Sequence, residues 1–112
     1  MGNGSQRPVR LLVVEDSATM RELLRTIFAA DPGIELVGML SDGEMALEAV
    51  GRLHPDILAI DYCLPGRNGL EVSREILAKS PVPIVIMSSQ LKVDDPEVVA
   101  RVVEGGVLAL LE

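Results

Sequence analysis

The chain of 112 residues carries 10 Lys and Arg against 17 Asp and Glu, a formal charge of −7, and 48% of it is apolar. That balance describes one packed domain and excludes a disordered acidic tail. It offers no Lys/Arg cluster to neutralise successive phosphates of a nucleic acid, and no apolar run approaches the roughly 20 residues that membrane insertion needs. A single cysteine, Cys63, excludes an internal disulfide framework and points to a reducing, cytoplasmic setting. Phe28 and Tyr62 are the whole aromatic content, so the core is aliphatic and no stacking platform for bases exists.

Residues 1–7 are polar, lack the apolar stretch of a secretory signal, and read as an unstructured start to a domain spanning 8–112. Val9–Val14 is a nearly continuous apolar run that stops at Glu15-Asp16, the pattern of a strand buried on both faces. Ser17 or Thr19 can cap the next helix, in which Met20, Leu23, Leu24, Ile27 and Phe28 recur on one face until Asp31-Pro32-Gly33 ends it. Ile34–Leu40 is a second strand; Ser41-Asp42-Gly43 opens a second helix through Ala46, Leu47, Val50 and Leu53, stopped at His54-Pro55. Residues 56–61 form a third strand, followed by the turn-rich 64–69 and a helix carrying Leu70, Ile76 and Leu77. A fourth strand is expected at 82–87, a helix from Asp94-Asp95-Pro96 through Val103, and a fifth strand at 107–111.

Strict alternation of apolar strands with helices implies a parallel sheet covered on both faces. For about 112 residues the expected class is α/β, doubly wound and flavodoxin-like, with five strands in the order 2-1-3-4-5 and the crevice at the carboxyl ends of strands one and three. The sequence stops after the fifth strand, so the final helix of that alternation is missing. Part of the face where that helix would pack, beside the first helix, and strand five as an apolar edge are then expected to be uncovered, favouring self-association of this fragment.

Glu15 and Asp16 end the first strand, Asp61 the third and Ser88 the fourth. Neighbouring strands would bring three carboxylates together, and their mutual repulsion calls for a cation. With oxygen ligands only, no second His and no Cys pair, Mg²⁺ fits better than Zn²⁺. Such a centre suits phosphoryl transfer in which one carboxylate attacks phosphorus, with Ser88 placed to hydrogen-bond a phosphoryl oxygen.

The motifs V-V-E-D-S at 13–17, D-Y-C-L-P-G-R-N-G at 61–69 and I-M-S-S at 86–89 resemble, together and in order, the receiver domain of two-component response regulators. The resemblance implies that Asp61 accepts a phosphoryl group from a histidine kinase. It further implies that Asp16 binds Mg²⁺ directly, Glu15 acts mainly through a metal-bound water, and the backbone carbonyl of Cys63 completes the protein ligands. Ser88 matches the Ser/Thr whose hydroxyl moves toward the phosphoryl group, assisted by the Ser89 amide. The Cys63 thiol carries no assigned role.

More narrowly, residues 9–24, 31–38 and 81–89 look like the receiver of a chemotaxis protein-glutamate methylesterase, which restrains a C-terminal esterase domain until phosphorylated. The esterase part does not lie within these residues. Receivers also carry a Lys shortly after the fifth strand; counting from Gly106 places it just past Glu112, and counting from Gly105 places Glu112 itself there. A stand-alone receiver, or one driving a DNA-binding domain, shares the same motifs. Outside this class, a Mg²⁺-dependent aspartyl-phosphate phosphohydrolase would need a D-x-D pair after a strand, and a flavin-binding domain a phosphate loop after the first strand. Neither pattern occurs. His54 reads as a surface residue, Pro65-Gly66 and Asn68-Gly69 as turn chemistry, and the internal methionines as core filler.

Overall fold

A computed structural model describes residues 7–87 and, as backbone, 109–111. Strand β1 (Val9–Val14) is followed by helix α1 (Ala18–Ala29), β2 (Ile34–Leu40), a 3₁₀ turn (Gly43–Met45) running into α2 (Ala46–Leu53), β3 (Ile57–Asp61), α3 (Gly69–Lys79), β4 (Ile84–Met87) and β5 (Ala109–Leu111). All pairings are parallel and the order is β2-β1-β3-β4-β5, the doubly wound arrangement expected from the alternation. The expected helix from Asp94 to Val103, and Ser88 with its neighbour Ser89, lie outside the described residues.

The pleat sorts the apolar strand residues into two cores. Leu12, Val14, Leu58, Ile60, Ile84 and Ile86 meet Ala46, Ala49, Val50, Leu70, Val72 and Ile76 from α2 and α3. On the other face Leu11, Val13 and Ala59 meet Leu24 and Phe28 of α1. Strands buried from both sides carry no polar alternation, which is why they read as continuous apolar runs.

Helix α1 differs from its sequence pattern. Leu24 and Phe28 pack on the sheet, whereas Met20, Leu23 and Ile27 remain 40–52% exposed. One helix lying on a sheet covers only part of its circumference, and the apolar stripe here is broader than that contact. Strand β4 is also shorter than expected. Pro83 has no N–H for the ladder, so regular pairing starts at Ile84 while the Pro83 carbonyl still accepts from the Leu58 amide at 2.9 Å.

At the edge of the sheet opposite the acids, Arg7 donates two hydrogen bonds to the Asp56 carboxylate at 2.8 and 2.9 Å. Arg7, counted above with the unstructured start, therefore belongs with the fold. The Arg10 guanidinium donates to the carbonyls of Leu53 and His54 at 2.7 and 2.9 Å, satisfying the end of α2. His54 closes that helix in the left-handed region at φ 49° and is exposed, which accords with its reading as a surface residue.

Candidate functional site

The carboxyl ends of β1 and β3 adjoin because Val14 pairs with Ile60. The next residue on each strand, Glu15 and Asp61, therefore falls at the same edge, and Asp16 joins them: one carboxylate oxygen from each of the three lies within 4.8 Å of the others. Adjacent acids take opposite environments, with Glu15 6% exposed and Asp16 open to solvent. The Glu15 amide donates to the Leu40 carbonyl at 2.9 Å, which carries the sheet pairing one residue past β1. Its side chain turns back to accept from the Ser17 amide at 3.0 Å. Ser17, one of the two expected caps, is the residue used: its hydroxyl accepts from the Met20 amide at 3.2 Å and starts α1. Asp16 is thus confined to a two-residue turn between a strand end and a helix cap.

Asp61 is held from the other side. The Tyr62 amide donates to the Met87 carbonyl at 2.9 Å, and the Cys63 amide donates to Asp61 Oδ1 at 3.2 Å. The Cys63 side chain is exposed. The loop then returns so that the Gly69 amide donates to the Tyr62 carbonyl at 2.7 Å. Asn68 and Glu71 form a reciprocal capping box that starts α3 at that point. Sequence reasoning read Asn68-Gly69 only as a turn; the Asn-x-x-Glu spacing was the signal for the cap. Gly66 takes a φ of 80°, a conformation that favours glycine, in the same loop.

Burial is the largest cause that raises the Glu15 carboxyl, to about 7, and the nearby negative charge of Asp61 reinforces it against the opposing Ser17 amide. Burial likewise raises Asp61, while the Cys63 amide and a hydrogen bond from Glu15 pull it back and the Asp16 charge raises it. Both carboxyls are thus pushed in the same direction, and the pair holds protons to higher pH than ordinary carboxylates do. An all-oxygen set of adjoining acids, raised first by burial and further by one another's charge, is a donor set suited to a hard divalent cation. Glu15, Asp16 and Asp61 are the only such cluster among the described residues. No described helix is long and apolar enough to cross a membrane.

The chain belongs to the response regulator receiver domain family, whose model matches residues 11–111. Its sequence is similar to protein-glutamate methylesterase/protein-glutamine glutaminase 4 of Geobacter metallireducens, 43% identical over 103 residues that make up 92% of this chain and 30% of that protein. Enzyme 1 of the same name from Syntrophus aciditrophicus is 42% identical over 104 residues, 93% of this chain and 30% of that protein. Among solved structures, the response regulator domain of Thermotoga maritima CheB superposes with a TM-score of 0.84 at 32% identity, covering 93% of this chain and 77% of that one. The chain thus spans about 30% of the length of these curated relatives.

Proposed function

We propose that this chain is the phosphoacceptor domain of a chemotaxis response regulator, in which Asp61 takes a phosphoryl group from a histidine kinase and the modified domain controls a protein-glutamate methylesterase domain. The observation that carries the reading is the meeting of Asp61 with Glu15 and Asp16 at the carboxyl edge of the sheet. The output assignment rests on the likeness to methylesterases.

In this reading an Asp61 carboxylate oxygen attacks phosphorus, the bond from phosphorus to the donor imidazole nitrogen breaks, and the imidazole leaves with the electron pair. The Cys63 amide on Oδ1 fixes the rotation of the attacking carboxylate. Asp16, Asp61 and the backbone carbonyl of Cys63, with Glu15 mainly through a bound water, are the proposed ligands of Mg²⁺, which when bound neutralises the acids and the charge on the transferring group. Ser88 is the proposed hydrogen-bond donor to a phosphoryl oxygen, on the strength of its motif.

The test is the intact mass of the chain after incubation with acetyl phosphate. A single phosphoryl adduct is expected with Mg²⁺ and none with EDTA; absence of any adduct, or an adduct indifferent to Mg²⁺, overturns the reading. A second expectation concerns pH. Glu15 holds a proton up to about pH 7, and a cation must displace it. Apparent Mg²⁺ affinity, read by calorimetry, should weaken below pH 7 by up to about ten-fold per unit, with proton release on binding. Affinity that stays flat between pH 5.5 and 8 would remove Glu15 from the ligand set.

A further inference from the structure

Arg21 sits one turn into α1, half-buried, and its guanidinium turns back toward the sheet. Nη1 donates to the backbone carbonyl of Glu15 at 2.8 Å. That carbonyl belongs to the peptide joining Glu15 to Asp16, so its direction sets how Asp16 leaves the strand. Glu15 is then held at three points: its amide by Leu40, its carboxylate by the Ser17 amide, and its carbonyl by Arg21. The first two belong to the strand and the cap. The third is the only one of them supplied by a side chain from elsewhere in the helix.

We propose that Arg21 is a positioning residue for the acidic cluster: by holding the Glu15 carbonyl it sets the Glu15–Asp16 peptide and so the direction from which Asp16 faces Glu15 and Asp61. This rests on the functional reading above only for its effect on Mg²⁺; its effect on the turn stands apart from it. The backbone amide of Arg21 donates to the Ser17 carbonyl at 2.9 Å, so the residue ties the turn at both its backbone and its side chain. By contrast Arg25, on the same helix, pairs with Glu22 in an exposed contact at 3.2 Å that touches no acid of the cluster.

Charge and positioning make opposite predictions for Arg21. A cationic side chain beside a cation site opposes Mg²⁺ through space, so removing the charge alone would tighten binding. Losing a hydrogen bond that orients a ligand weakens it, commonly by about ten-fold or more. Arg21→Met keeps the aliphatic stem and removes both charge and donor; Arg21→Lys keeps charge and one donor. In the 112-residue chain, Arg21→Met is expected to weaken Mg²⁺ about ten-fold, with Arg21→Lys recovering most of the loss and Arg25→Met matching wild type.

Amide hydrogen exchange supplies a readout that needs no metal. Without Mg²⁺, the Ser17 amide should exchange at least about five-fold faster in Arg21→Met, while the β1 core amides keep their protection. Unchanged Ser17 exchange overturns the proposal, and so does tighter Mg²⁺ binding in Arg21→Met or equal weakening in the Lys and Met variants. Should Arg21→Met lose protection throughout the core, Arg21→Lys decides: native core protection with wild-type Ser17 exchange supports the proposal, and general loss there too assigns Arg21 to overall stability and overturns it. If Ser17 exchange responds as expected but wild type binds no Mg²⁺, the functional reading fails and the positioning of the turn stands.

Discussion

Asp61→Asn is expected to abolish the phosphoryl adduct completely while the domain stays folded. An amide nitrogen or oxygen is no substitute for a carboxylate nucleophile, yet Asn keeps an Oδ1 that accepts from the Cys63 amide in place of the present 3.2 Å bond. The substitution should also change how stability depends on pH. In the metal-free chain Glu15 holds its proton to about 7, against an ordinary value of 4.5. Between those values the folded state binds more protons than the unfolded one, so the contribution of Glu15 is fully favourable below pH 4.5 and is lost as pH rises toward 7. Removing the Asp61 charge relieves part of the cause. Because burial is the larger cause, the decline should flatten without vanishing, by about 1 kcal/mol given screening by solvent at the mouth of the site. Urea unfolding at a series of pH values measures this. An adduct retained in Asp61→Asn would place the acceptor elsewhere, and an unchanged pH slope would mean that Asp61 and Glu15 do not interact.

Gly69→Ala should be the most damaging small substitution in the loop beside the acceptor. A Cβ at this position would stand 2.3 Å from the Asp61 carbonyl oxygen and 3.0 Å from the Tyr62 Cα. Both obstacles are backbone and cannot rotate away. The helix start would have to retreat, lengthening the 2.7 Å hydrogen bond from the Gly69 amide to the Tyr62 carbonyl. A loss of about 3 kcal/mol, the upper range for overpacking, is expected, lowering the melting temperature by on the order of 10 °C. The phosphoryl adduct should fall with it, because the displaced backbone is that of Asp61 itself. Gly51→Ala is the matched control: it lies on α2 with nothing within 4 Å, and the exchange should stabilise by about 0.5–1 kcal/mol. Equal melting temperatures for the two variants would show that the close approach at Gly69 does not exist in solution.

Much of this was legible in one dimension. Strands buried on both faces announce themselves as apolar runs, and the runs at β1 and β3 end in acids, so alternation together with the expected strand order placed Glu15, Asp16 and Asp61 at one edge of a parallel sheet. Local chemistry likewise narrowed the first cap to Ser17 or Thr19 and marked residues 41–43 as a helix start, where Ser17 and Asp42 are the caps used. The split apolar face of α1 was not legible, because periodicity reports which residues share a face and not how much of that face a neighbour reaches.

The sequence by itself determined the order of the described elements and the identity of the acids, since these follow from patterns within a few residues, while the sheet order followed from chain length and the usual order of a small doubly wound fold. Tertiary structure alone decided the rest. Two adjacent acids, Glu15 and Asp16, differ in burial because the backbone reverses from strand to cap between them. Gly69 must be glycine because α3 begins against the backbone of Asp61, eight positions earlier. Arg21 reaches Glu15 only because α1 folds back over the end of its own strand. Each depends on distances between segments that meet after folding, and no local spacing in the chain encodes them.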